Sequence, residues 1–201
     1  MAKTTRRQTG LILASTSTIR KTLLRRAGID FVCQRPDVDE AAIIAAAGSI
    51  TAAQTSAMLA RLKALSVDHA TDALIIGCDQ ALEFEGRVYG KARTMKEAHQ
   101  RLEAFAGKTH YLAGTCVLAS GGRIVWRHYN RAAMHMRPLD QAAITAYLKR
   151  AGPDILASVG CYQIEGLGIT LMERMQGNYF SILGLPLLPL LNALRKRGVL
   201  W

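Results

Sequence analysis

Leu11-Ile12-Leu13-Ala14-Ser15-Thr16-Ser17-Thr18-Ile19-Arg20, continued by Lys21 to Gly28, is the stretch whose reading sets the architecture. Its first four residues are apolar and read as a buried strand. Ile19, Leu23, Leu24 and Ala27 then recur at helical spacing. Ser17 or Thr18 can cap that helix, and Gly28 can end it. The hydroxyls of Ser15, Thr16 and Ser17 fall where free backbone N–H groups gather at a helix start, a place that favours phosphate. Arg20 and Lys21 add positive charge in the first turn. The glycines and the Gly-Lys-Ser/Thr signature of a P-loop are missing, and a Ser-x-Ser pair before a helix also serves simply as a cap.

A second strand–polar transition lies at Leu74-Ile75-Ile76-Gly77-Cys78-Asp79-Gln80, followed by Gly90-Lys91. The strand is expected over 72–78, which puts Asp79 at its end, where ligand and catalytic groups collect in α/β folds. A carboxylate there can bind a metal or take a proton from an attacking water. Lys63 and Lys91 are the phosphate partners to consider, although a lysine on a helix is most often solvated. Asp37, Asp39 and Glu40 form an acidic cluster. It reads either as one or two carboxylates for a hard cation such as magnesium or as a solvated turn leading into Ala41–Ala47.

Outward from these stretches the chain alternates helices and strands. Helices are expected at 51–65, 94–105, 139–151 and 187–197, and strands at 111–119, 123–136 and 168–175. Glu85-Gly86, Gly121-Gly122 and Gln176-Gly177 mark turns. Gly166-Leu167-Gly168, with Glu165 before it, reads as a tight turn or as backbone that approaches a ligand, and the two can coexist. The class is therefore α/β with a large antiparallel part: a mixed curved sheet with helices around it and the site in a cleft between two lobes. Residues 1–10 form a basic tail and 11–201 a single two-lobed domain.

Composition narrows the function. Half of the 201 residues are hydrophobic and a fifth are charged, as in a globular protein. A net charge of +11 favours anionic partners. Lys3, Arg6, Arg7, Arg20, Lys21, Arg25 and Arg26 all precede Asp30, as a solvated face or as a phosphate-attracting mouth. Aromatics make up only 6% of the chain, which argues against a specific nucleic-acid groove with its stacking platforms. No apolar run reaches the roughly 20 residues of a membrane span. Cys33, Cys78, Cys116 and Cys161 are widely spaced. Cys78 and Cys116 read as buried small hydrophobes, and the cytoplasm is the expected compartment. His69, His99, His110, His128 and His135 show no ligand spacing and read as structural or exposed.

In this order the pieces resemble the Maf family of nucleoside triphosphate pyrophosphatases. The resemblance is carried by Ala14-Ser15-Thr16-Ser17-Thr18-Ile19-Arg20, Leu23-Leu24, Ala27-Gly28, Val38-Asp39-Glu40, Lys63-Ala64, Gly77-Cys78-Asp79 and Gly90-Lys91. It continues through Gly107-Lys108-Thr109-His110, Glu165-Gly166-Leu167-Gly168, Glu173-Arg174, Gly177-Asn178-Tyr179 and Gly184-Leu185-Pro186. It implies a fold related to inosine triphosphate pyrophosphatases, a divalent cation (Mg2+ or Mn2+), a homodimer, and hydrolysis between the α- and β-phosphates. Carried over by position, Asp79 is the proton acceptor and a metal ligand, and Glu40 is a metal ligand. Ser15, Ser17, Arg20, Lys63 and Lys91 grip the triphosphate. Gln80 and Glu165 resemble the pair that accompanies 7-methyl-GTP in the family. A carboxylate accepts from both N1–H and the N2 amine of guanine, and N7 methylation adds a positive charge that it favours. Three positions depart from the family: Thr18 for proline, Ile19 for an arginine or tryptophan near the base, and Gly114-Thr115 for Thr-Gly. The alternatives are a dTTP/UTP pyrophosphatase of the same family and a non-catalytic nucleotide sensor linked to cell division.

Overall fold

The computed structural model describes residues 10–67 and 73–201, so the basic tail and the expected beginning of the second strand at Asp72 lie outside the described residues, as does His69. Seven strands form one mixed sheet: β1 (Leu11–Ala14), β2 (Val32–Gln34), β3 (Leu74–Phe84), β4 (Arg87–Tyr89), β5 (Thr109–Ser120), β6 (Arg123–Met136) and β7 (Met172–Gln176). Their order is β2-β1-β3-β5-β6-β7, with β4 paired to β3. β1 runs parallel to β2 and β3, and every other pairing is antiparallel. The opening strand–helix unit supplies the parallel part. The hairpins at Glu85-Gly86 and Gly121-Gly122, all four residues at positive φ, supply the antiparallel part.

Among the described residues seven α-helices surround the sheet: α1 (Thr18–Arg26), α2 (Glu40–Ala47), α3 (Ala52–Leu65), α4 (Met95–Phe105), α5 (Gln141–Ala151), α6 (Tyr179–Ile182) and α7 (Leu187–Arg195). Thr51 and Gln54 form a reciprocal capping box at the start of α3, and Thr94 and Asp140 cap α4 and α5. The larger core lies on the face of β3 that carries Ile76, Cys78 and Leu82, with Phe105, Ile144 and Leu190 from the helices. The other face is covered by α3 through small residues. Ala60 and Ala64 pack on Ile75 and Val117, while Ala52 packs with Ala81 and Ala113.

Gly77 sets how closely α3 approaches. A Cβ there would stand 2.3 Å from the Ala60 carbonyl oxygen and 2.7 Å from Ala64 Cβ, so no other residue fits without moving the helix. Alternate residues of a strand share a face, so Gly77 and Asp79 both look toward α3.

Three sequence expectations change. β3 does not stop at Cys78 but continues to Phe84, so Asp79 is internal to the strand. The reason is that β3 changes partners. Its pairing with β1 ends at Gly77, its pairing with β4 begins at Leu82, and its pairing with β5 runs unbroken from Ile75 to Glu83. Between Gly77 and Leu82 one edge of β3 is open, and Asp79 sits in that notch. The acidic cluster, open between a cation site and a solvated turn into Ala41–Ala47, is divided: exposed Asp37 precedes the helix, Asp39 caps it by accepting from the Ala42 N–H, and Glu40 is its first residue. The strand expected over 168–175 begins only at Met172. Leu167–Leu171 is a 3-10 turn because Gly168 packs its Cα directly on the backbone of Gln163. That contact gives Gly168 a structural place and leaves it out of the cleft lining.

Candidate functional site

The open edge of β3 forms the floor of a large cleft of roughly 1570 Å3. The Ser15–Ser17 loop, α2, α3, Arg87–Lys91 and the 159–165 segment contribute its walls. It is lined by Ser15, Ser17, Ile19, Arg20, Glu40, Lys63, Asp79, Gln80, Lys91 and Glu165, but not by Lys21, Asp37, Asp39 or Gly166–Gly168.

At its centre Lys63 joins two carboxylates. Its Nζ lies 2.6 Å from Asp79 Oδ1 and 2.8 Å from Glu40 Oε1. Lys63 and Asp79 are each 7% exposed, whereas Glu40 stands half open to solvent. The arrangement follows from the Gly77 contact, which seats α3 close enough for Lys63 to reach the strand. Burial pushes the Asp79 carboxyl above its ordinary range. The Lys63 and Arg20 charges oppose that shift, and Glu40 adds to it. Of the acidic cluster, Glu40 alone joins this group. Asp39 is engaged as a helix cap, and Asp37 is exposed.

The hydroxyl loop is held from below. The Ser15 hydroxyl accepts the Ser17 N–H at 3.2 Å, and Ser17 takes the N-cap position of α1 without a side-chain cap bond. Arg20 donates from Nε to the Gly184 carbonyl at 2.8 Å and from Nη1 to the Cys78 carbonyl at 2.9 Å. The second of these fills the β3 edge that no strand occupies. Arg20 is thus fixed beside Asp79 with its charge toward the cleft.

Gln80 faces the other side of the strand. Its Nε2 donates to the carbonyls of Ser181 at 2.9 Å and Ile182 at 3.3 Å. Two carbonyls at one end require the amide nitrogen there, which leaves Oε1 as the free acceptor. Glu165 and Lys91 are exposed in the cleft lining, and Ile19 is half-buried against the core.

Sequence reasoning missed two groups here. Thr115, opposite Asp79 in the sheet, shares a buried 2.9 Å hydrogen bond with Ser56 of α3. Arg101 of α4, only 6% exposed, ties two segments of the cleft lining together through the Gly90 and Val159 carbonyls. The Glu97–Arg101 spacing of four on a helix was the available signal for the second.

The profile of the Maf-like protein family matches residues 10–197. The chain belongs to the Maf family. Relatives of similar length carry consistent names. A Maf relative from Bartonella quintana (strain Toulouse), named 7-methyl-GTP pyrophosphatase, is 46% identical over 94% of this chain and 96% of its own. One from Brucella suis biovar 1 (strain 1330), with the same name, is 44% identical over 92% and 95%. Another from Granulibacter bethesdensis, named nucleoside triphosphate pyrophosphatase, is 42% identical over 94% and 98%. The Maf sheet places its buried carboxylate, its hydroxyl loop and its cations around one cleft, the arrangement needed to hold and neutralise a polyphosphate.

Among the described residues no group of three or more His, Cys, Asp or Glu side chains comes together to hold a metal. Glu40 and Asp79 nevertheless converge on one cationic point, now taken by Lys63 Nζ. Two hard carboxylate oxygens, with water and substrate phosphates completing the shell, suit a cation such as magnesium.

Proposed function

We propose that this Maf protein hydrolyses a nucleoside triphosphate between the α- and β-phosphates, releasing a nucleoside monophosphate and pyrophosphate, and that the preferred base is 7-methylguanine. The observation that carries the reading is the buried Asp79 at the sheet notch, bonded to Lys63 and flanked by Arg20. Asp79 accepts a proton from the water that attacks the α-phosphorus. Lys63, released from Asp79 as the substrate arrives, joins Arg20 and Lys91 in neutralising the charge that grows on departing pyrophosphate. Ser15 and Ser17 orient phosphate oxygens. Glu40 and Asp79 would hold Mg2+ or Mn2+, which supplies Lewis-acid charge neutralisation when bound.

Base choice rests on Gln80 and Glu165. The free Gln80 oxygen and the Glu165 carboxylate are acceptors, and guanine offers two adjacent donors. Uracil and thymine would turn carbonyl oxygens toward a carboxylate. The names of the Bartonella and Brucella relatives support the same substrate. Ile19 gives a cationic base no aromatic face, so discrimination for the methyl group is expected to be modest.

A panel of 7-methyl-GTP, GTP, UTP and dTTP, each with and without Mg2+ or Mn2+, tests the reading by pyrophosphate release. Preference for UTP or dTTP that Glu165→Gln leaves unchanged would refute the base assignment. Binding without release from any nucleotide would make the protein a sensor. Three of the four free cysteines are buried, which suits a reducing, nucleotide-bearing cytoplasm. A homodimer is part of the same reading, and sedimentation measures it.

A further inference from the structure

We propose that Arg101 is a positioning residue that fixes Lys91 and joins the wall bearing Lys91 to the segment bearing Glu165. The proposal rests on the phosphate role assigned to Lys91 above. Arg101 Nη1 donates to two backbone carbonyls, those of Gly90 and Val159, and Nη2 donates to Glu97 Oε1 at 2.9 Å. The other Glu97 oxygen accepts the Arg93 N–H at 2.9 Å. The Glu97–Arg101 pair therefore holds the backbone on both sides of Lys91, at residues 90 and 93. The guanidinium also lies 5.3 Å from the Tyr89 ring centroid. Lys91 itself is exposed, and a lysine stem is flexible, so its reach into the cleft depends on where its backbone is pinned.

The second carbonyl matters as much. Val159, Gly160, Tyr162 and Gln163 line the cleft on the way to Glu165. One guanidinium thus sets the distance between a phosphate-side loop and a base-side segment that are about 70 residues apart in the chain. A charge is not enough for this. Arginine serves the two carbonyls from Nη1 and the carboxylate from Nη2, and lysine, with all its donors on one nitrogen, cannot keep both positions of the fork. Arginine on the mostly polar stripe of a helix ordinarily reads as solvated. Here its near-complete burial and its backbone acceptors in two cleft-lining segments point to positioning.

The test uses Arg101→Lys and, should that protein fold poorly, Glu97→Gln, which keeps the shape of the partner. Each is measured for kcat and KM with the best nucleotide of the panel, alone and combined with Lys91→Ala. KM is expected to rise on the order of tenfold or more, the loss of a charge-assisted hydrogen bond, with kcat changing far less. In the Lys91→Ala background the same substitutions should add little, because the group they position is gone. Full additivity there, or a fall in kcat at unchanged KM, overturns the proposal. Amide hydrogen exchange gives a readout independent of turnover. Arg101→Lys should speed exchange at residues 89–93 and 158–163 and leave β3 and β5 unchanged. If no nucleotide is hydrolysed by the parent protein, the assigned activity fails, and exchange still decides the clamp. Unaltered exchange in both segments refutes it.

Discussion

Gly77→Ala should damage both the fold and the site through one displacement. The added methyl would meet Ala60 O at 2.3 Å, Ala64 Cβ at 2.7 Å and the Ala64 nitrogen at 2.9 Å. Carbon contacts in a packed interior settle near 3.5–4.0 Å, so α3 must retreat by roughly 1 Å. Two of the three opposing atoms belong to helix backbone, which cannot rotate aside as a side-chain tip can. Overpacking of this kind costs about 1–3 kcal/mol. A domain of this size loses about 2–4 °C in Tm per kcal/mol. Lys63 precedes Ala64 directly, so the retreat carries it from Asp79 and Glu40, with which it now makes contacts of 2.6 and 2.8 Å. A misplacement of about 1 Å can cost on the order of 100-fold in rate. Calorimetry and pyrophosphate release on the same preparation measure the two effects. A variant as active as its parent would refute the account. So would one that loses stability while keeping kcat/KM, because α3 packing would then not position Lys63.

Other outcomes follow from the same geometry. Asp79→Asn should lower turnover by about 100- to 10,000-fold and spare most nucleotide affinity, since the amide keeps the shape but cannot take the proton; equilibrium binding beside single-turnover kinetics separates the two. His110 is buried and held neutral, its pKa driven down to about 3 by burial, with His135 adding to the effect. The unfolded chain titrates near 6.5, so between these values it binds the extra proton and stability falls as pH drops. At pH 5 the loss from this group is about 2 kcal/mol relative to pH 8; urea melts of His110→Gln, which can still bond Tyr162, should lack that component. Triphosphate affinity should weaken with added salt, because exposed Lys91 is screened beyond about 8 Å at physiological ionic strength; a flat salt dependence would count against a phosphate role for it. Chelation by EDTA should suppress pyrophosphate release and Mg2+ or Mn2+ should restore it, while unchanged release in EDTA would exclude a required divalent cation.

Local signals reached far into this fold. The turn glycines and the helical recurrence in 18–26 each act within a few residues, and each element forms where they point. The expectation failed where a distant partner decides. Asp79-Gln80 looked like the end of a strand because a carboxylate rarely sits inside one. It does so here because Lys63, sixteen residues earlier, neutralises it across a contact that Gly77 permits. Glu40–Ala47 has no polar face to mark a helix, and none of its residues is buried. Ile169-Thr170 reads as strand, but the Gly168 contact turns the backbone. The side chains around the cleft were legible one by one through motif order. What joins them was not: Arg101 and the Ser56–Thr115 bond are tertiary facts carried by residue types that are ordinary on a helix.

Asp79 and Gln80 are neighbours on one strand, yet they are anchored on opposite sides of the sheet, one against α3 and the other against α6. A change at position 80 therefore acts first on the Ser181–Ile182 turn, two residues before the Gly184 carbonyl that holds Arg20, whereas Asp79 is anchored from α3. On the proposed roles, substitution at position 80 should alter which base is admitted more than how the phosphate chain is cut. On the same proposed roles the two tasks part at a single peptide bond, and an engineer seeking a new nucleotide preference would vary the α6 side of β3, keep the Gly184 contact of Arg20, and leave the α3 side alone.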